Sequence, residues 1–233
     1  TDLYEITMLQ AYFEQRMFDE AEFSLFIRRQ PATRNYFLAC GIDDVLDYLE
    51  QLHFTADNID YLASLDIFSA EFLAWLDDFS FTGHVFAVRE GTPVFANEPI
   101  LELVAPLPEA QLIETYVMNQ VHLQTLLASK AARVVAAAAG RGVVDFGARR
   151  IHGTDAAIKG ARAFKIAGVD GTSNVLAGSL YGIPVMGTMA HSFIQASGHE
   201  GDAFRAFARV YPETVLLIDT YDTLDGARKV VEL

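Results

Sequence analysis

A chain of 233 residues with 52% apolar and 21% charged side chains has a globular composition and is long enough to bury a sizeable core. Its formal charge of −14, from 17 basic against 31 acidic residues, opposes a nucleic-acid backbone, and no apolar run reaches bilayer-spanning length. Cys40 is the single cysteine, so no disulfide closes within the chain, which fits a reducing, cytoplasmic setting.

Taken in order, the chain opens with Asp2 and Glu5 at capping-box spacing, followed by Ile6, Leu9 and Phe13 at helical intervals. Phe23, Leu25 and Ile27 then alternate with Glu22 and Ser24, which predicts a strand. Three helical stretches follow, carrying Val45, Leu46 and Leu49, then Ile59 and Leu62, then Phe72, Leu73 and Leu76. A β-rich stretch is expected from Phe81 to Val104, with turns at Glu90-Gly91 and Asn97-Glu98-Pro99. Pro108 suits the first turn of a long helix, broken once, that ends near Gly140. Residues 1–140 thus read as an N-terminal α/β domain with long connecting helices.

After Gly140 the rhythm changes, and residues 141–233 read as a second unit. Short apolar runs, Val143–Phe146, Ile166–Val169, Pro184–Met186 and Val215–Ile218, alternate with helical stretches, the pattern of a parallel sheet. Units of roughly 20 to 35 residues suit either a (β/α) barrel or an open doubly wound sheet. Four such units are too few to close a barrel. The chain starts at Thr1 without an initiator methionine and stops at Leu233 inside an amphipathic pattern with no stop signal, so it is expected to be part of a longer protein.

The residues after each expected strand carry the chemistry. They are Gly147-Ala148-Arg149-Arg150, Gly171-Thr172-Ser173-Asn174, Gly187-Thr188-Met189-Ala190-His191-Ser192 and Asp219-Thr220-Tyr221-Asp222. Carboxyl ends of parallel strands form the ligand-binding face, and arginines, hydroxyls and glycines converging there suit a phosphate-bearing anion. Each piece also has an ordinary reading. Arg149-Arg150 reads equally as a solvated pair at a helix start, Gly-Thr-Ser-Asn as an N-cap, and Asp219 with Asp222 as a cap and a first-turn acid. The remaining histidines lack metal-ligand spacing, and neither a Walker loop nor a Gly-x-Ser-x-Gly elbow is present.

Read together, Thr1-Asp2-Leu3-Tyr4, Asn97-Glu98-Pro99, Lys130-Ala131-Ala132-Arg133, Asp145–Arg150, Gly171–Gly178, Gly187–Phe193 and Asp219–Thr223 resemble, in order, the nicotinate phosphoribosyltransferase family. The resemblance implies an N-terminal α/β domain followed by the first part of an irregular (β/α) barrel of the type II phosphoribosyltransferase kind. It implies an enzyme, classed as a ligase forming a carbon–nitrogen bond, that joins nicotinate to phosphoribosyl pyrophosphate for NAD salvage. ATP is the expected co-substrate, and Mg²⁺ accompanies the phosphates. The family's phosphorylated histidine falls on His191, and Asp219 matches the acid that hydrogen-bonds it. Phe146 matches the aromatic that stacks on the pyridine ring, and Tyr4 the one contributed across a homodimer interface. Arg149, Thr172, Ser173 and Thr188 fall on substrate-lining positions. Ser173 stands where nicotinamide-using relatives carry an aspartate that would repel a carboxylate, so the acid is the expected substrate.

The family's later Arg-x-Asp-Ser-Gly-type segment and glycine-rich phosphate loop are not among these residues, so residues 1–233 alone are expected to be inactive. The alternatives are a nicotinamide or quinolinate phosphoribosyltransferase, a non-catalytic metabolite-binding relative, or an unrelated aldolase- or lyase-type barrel. The last class often uses a Schiff-base lysine at a strand end, and none of the four strand ends supplies one.

Overall fold

The structure, a computed structural model, describes residues 1–233. Helix α1 (Leu3–Gln15) starts where the sequence predicts, with the Asp2 amide donating to Glu5 Oε2 at 2.9 Å. Glu5 is fully buried because its second oxygen accepts the Thr115 amide, also at 2.9 Å, which fastens the start of α1 to a later helix. A buried carboxylate is tolerable when its oxygens are hydrogen-bonded in this way.

Strand β1 (Glu20–Phe26) keeps its predicted alternation, with Ala21, Phe23 and Leu25 on the sheltered face. The short strand β2 (Phe37–Leu38) precedes three helices, α2 (Ile42–Glu50), α3 (Ala56–Ser64) and α4 (Ala70–Asp77). Then come β3 (His84–Ala87), β4 (Pro93–Val94) and β5 (Pro99–Pro106). β5 is the centre of an antiparallel sheet ordered β1-β5-β3, in which Leu103 faces both Phe23 and Val85. β2 and β4 form a second, two-stranded pair. The predicted turns are present: Gly91 (φ 81°) and Asn97 (φ 64°) adopt the left-handed backbone that turns require.

The long helix is broken once, as expected. α5 (Leu107–Leu112) has Pro108 in its first turn, Ile113 interrupts, and α6 (Glu114–Ala138) closes on Ala139 and Gly140, both at positive φ. One core of twenty buried residues runs from Ile6 to Val121 and joins the sheet to α1, α2, α4, α5 and α6.

The second unit contains β6 (Val144–Asp145), a 3₁₀ turn (Ala148–Arg150), α7 (Thr154–Ile166), β7 (Gly171–Thr172), α8 (Val175–Tyr181), α9 (His191–Ala196), α10 (Glu200–Val210) and α11 (Thr223–Val231). β6 pairs with β7 in parallel, and single parallel bridges continue the sheet from Thr172 to Val185 and from Thr188 to Val215. Neighbouring strands therefore follow chain order, as in a barrel wall. One expectation is corrected. Ile166–Val169 is no strand but the end of α7, where Gly168 at φ 97° turns the chain toward β7. Two of the other expected strands shrink to single bridges.

The two units meet along α6 and α7. Small residues on α7 (Ala156, Ala157, Gly160, Ala161 and Ala163) let the helices approach, and a side chain at Gly160 would press Ile151 and Leu127 at 3.2 Å. Above this contact Arg162 Nη2 lies 2.6 Å from Glu90 Oε2, while Glu90 Oε1 accepts the Gly41 and Ile42 amides at 2.6 and 2.8 Å. Glu90 thus caps α2, which Gly41 has no side chain to do. Burial raises the Glu90 carboxyl, but Arg162 and the amides outweigh it and hold it below its usual value. Burial, reinforced by the Glu90 charge, pushes the neighbouring Cys40 thiol up to about 12. No helix is long and apolar enough to cross a membrane.

Candidate active site

At the end of β6, Asp145 forms an Asx turn, its Oδ1 accepting the Gly147 amide at 2.7 Å. A Cβ on Gly147 would sit 2.9 Å from that oxygen, so a larger residue here would displace the Asp145 carboxylate. Phe146 is left 53% exposed at the tip of the turn, and Arg149 is exposed on the 3₁₀ turn beyond. Asp145 Oδ2 accepts from the Thr172 hydroxyl at 2.9 Å, and the Asp145 carbonyl accepts the Ser173 amide at 2.8 Å. Thr172 Oγ1 accepts in turn from the Asn174 amide at 3.1 Å, and Asn174 caps α8 by accepting the Ala177 amide at 3.0 Å.

These contacts place the expected residues as follows. Phe146 and Ser173 stand on adjacent strand ends, with Ser173 half-buried and entering the network through its amide. Thr172 is 1% exposed and spends its hydroxyl inside the network, although the resemblance assigned it to the substrate. Thr188 is exposed and donates to the Val215 carbonyl. His191 opens α9, with Nδ1 3.2 Å from Thr220 Oγ1. The hydrogen-bonding neighbour of this ring is thus Thr220, whereas the expectation named Asp219, which is exposed one residue earlier. Asp222 caps α11, accepting the Asp225 amide at 2.8 Å, as its ordinary reading predicted.

Tyr4 stands apart within the single chain. Its hydroxyl lies 3.4 Å from Thr115 Oγ1 and 3.5 Å from Glu5 Oε1, both in the N-terminal unit, and its residue is 44% exposed. Beside β6 a cleft of about 320 Å³ has an apolar floor with Lys130, Asp145, Gly147 and Arg150 on its wall. No group of three or more His, Cys, Asp or Glu side chains gathers to hold a metal ion. Sequence reasoning passed over Asp145 and Thr220 as individual actors. The first had a signal in its Asp-x-Gly spacing; the second had none apart from its place between two aspartates.

The model of the nicotinate phosphoribosyltransferase (NAPRTase) N-terminal domain matches residues 1–122, more than half of the chain, and that of the nicotinate phosphoribosyltransferase (NAPRTase) family matches residues 142–229. The chain belongs to the nicotinate phosphoribosyltransferase family. It is 59% identical over all of its length to nicotinate phosphoribosyltransferase pncB2 of Mycobacterium tuberculosis, of which it covers 50%. It is 44% identical over 96% of its length to nicotinate phosphoribosyltransferase of Bacillus subtilis, of which it covers 46%. The crystal structure of human nicotinic acid phosphoribosyltransferase superposes with a TM-score of 0.88 at 29% identity, covering 99% of this chain and 57% of that one. The chain spans about half the length of the curated relatives it matches. Membership carries the type II phosphoribosyltransferase fold, an N-terminal α/β domain followed by the first part of the barrel.

Proposed function

We propose that the protein containing this chain is a nicotinate phosphoribosyltransferase, acting in NAD salvage in the cytoplasm. The observation that carries this reading is the juxtaposition of an exposed Phe146 ring with the uncharged Ser173 on neighbouring strand ends of a family member. The nicotinate nitrogen attacks C1 of phosphoribosyl pyrophosphate, the C1–N bond forms, and the C1–O bond to pyrophosphate breaks. An electron-poor ribose centre asks the protein for orientation and for stabilisation of departing anions, more than for covalent help. Phe146 stacks on the pyridine plane, and Tyr4 of a second subunit covers its other face. Arg149, Ser173 and Thr188 receive the carboxylate and phosphate groups.

ATP hydrolysis is coupled to turnover through His191, because a neutral imidazole is a competent phosphoryl acceptor, with Thr220 Oγ1 3.2 Å from its Nδ1 and Asp219 next to Thr220 in the chain to steady it. Mg²⁺ enters with the phosphate groups. The test supplies the intact protein with Mg²⁺, phosphoribosyl pyrophosphate and nicotinate, nicotinamide or quinolinate in turn, with and without ATP. The expected result is nucleotide from nicotinate, faster with ATP. Preference for either other acceptor would move the substrate, and no product from any acceptor would overturn catalysis.

A further inference from the structure

Phe146 lies between Asp145 and Gly147, and Ser173 lies between Thr172 and Asn174. All four flanking residues belong to one hydrogen-bond network: Gly147 amide to Asp145 Oδ1 at 2.7 Å, Thr172 hydroxyl to Asp145 Oδ2 at 2.9 Å, and Asn174 amide to Thr172 Oγ1 at 3.1 Å. The Ser173 amide to Asp145 carbonyl contact, at 2.8 Å, closes the set. The Phe146 ring and the Ser173 hydroxyl stay outside the network and remain available to a ligand.

We infer that Asp145, acting through Thr172, is a positioning residue that sets the spacing between the Phe146 ring and the Ser173 hydroxyl, and so the affinity for the pyridine substrate. This rests on the function proposed above. A carboxylate suits the task because its two oxygens serve two donors at once. Thr172 suits it because a hydroxyl donates to one partner while accepting from another, and its 1% exposure keeps it from touching substrate directly. Thr172 thereby moves from the substrate-contacting set to the frame behind it. Asparagine has nearly the same volume as aspartate but a single acceptor oxygen, so Asp145→Asn removes the acceptor of either the Gly147 amide or the Thr172 hydroxyl proton.

The test measures both Michaelis constants and the melting temperature of the intact protein and three variants. Asp145→Asn is expected to raise KM for nicotinate about tenfold or more while KM for phosphoribosyl pyrophosphate stays within about twofold. Thr172→Val should reproduce that split, and Thr172→Ser, which keeps the hydroxyl, should restore the nicotinate KM. A merely structural role would lower the melting temperature and the active fraction without separating the two constants. Equal changes in both constants, unchanged constants, or a Thr172→Ser that behaves like Thr172→Val would overturn the inference. Should Asp145→Asn fail to fold, the Thr172 pair decides alone. An unsubstituted protein that makes no nucleotide from nicotinate would overturn the proposed function and this inference together; an active protein without the split would overturn the inference only.

Discussion

Twenty buried residues form one continuous core in the N-terminal unit, whereas beyond Gly140 the buried apolar residues fall into separate clusters, the largest confined to that unit being the four of Met189, Ile194, Ala203 and Phe204. Val175, Val215 and Leu224 in the second unit are 71%, 71% and 70% exposed. The contrast follows from how much of each unit these residues hold. The antiparallel sheet of the first unit packs on its own helices within these residues, whereas the second unit holds the first part of a barrel, whose parallel strands are normally buried on both faces. Yet the strand ends of the second unit are well defined, because an Asx turn, helix caps and close-packed glycines act over a few residues.

The largest effect should separate the two units by stability. Phe72→Ala removes a fully buried ring that packs near Phe13, Phe68 and Trp75, and should cost about 3–5 kcal/mol in urea unfolding. In the 1–233 chain, Val215→Ala should change stability by about 0.5 kcal/mol or less. Comparable losses at both sites would erase the contrast.

The clamp between the units comes next. Arg162→Met leaves the Glu90 carboxylate, with a side chain only 8% exposed, without its cation, and should cost about 3 kcal/mol, the lower end for a broken buried pair because backbone amides still hold Glu90. The same site has an acid limb. Because the folded Glu90 carboxyl is held below its ordinary value, the unfolded chain takes up the proton first as pH falls. Its stabilisation is complete above the unfolded value of about 4.3 and is lost as pH drops through the lower folded value. Melting temperatures between neutral pH and about pH 3 should therefore fall less steeply in Glu90→Gln than in the natural sequence.

A smaller effect on energy, but a sharper one on function, is expected at Ser173. Ser173→Asp should lower kcat/KM for nicotinate at least about tenfold, or about 1.4 kcal/mol, with little change in melting temperature. A large stability loss would mean that the Ser173 side chain belongs to the frame of this strand end and is not available to a ligand. The smallest change concerns Cys40. With its thiol pushed up to about 12, it should resist alkylation at pH 8 in the folded protein and react only on unfolding. Ready labelling of the native protein would show the joint between the units to be open.

Most of the first unit was legible in the sequence. The Asp2–Glu5 box, the alternation through β1 and the break before α6 all rest on short-range periodicity and turn chemistry. The failures have equally physical causes. Ile166–Val169 reads as a buried strand because four apolar residues do not distinguish a strand from a helix end, and only the positive φ of Gly168 decides. Glu5 looked like a simple capping residue, yet it also binds the amide of Thr115, which no local pattern announces. At the candidate site the motifs pointed to strand ends that the structure brings side by side at β6 and β7. The bond from Thr172 to Asp145 joins residues 27 apart and exists only once β6 and β7 pair, so no local pattern announces it. His191 was singled out, but its neighbour Thr220 depends on how the last strand end meets α9.

The most direct test of the account is nucleotide formation from nicotinate and phosphoribosyl pyrophosphate by the intact protein and by His191→Ala, each with and without ATP. The account predicts nicotinate mononucleotide from the natural protein, formed faster with ATP, and a His191→Ala variant whose slower rate no longer responds to ATP. No nucleotide from nicotinate, or an ATP response that survives the loss of His191, would contradict it.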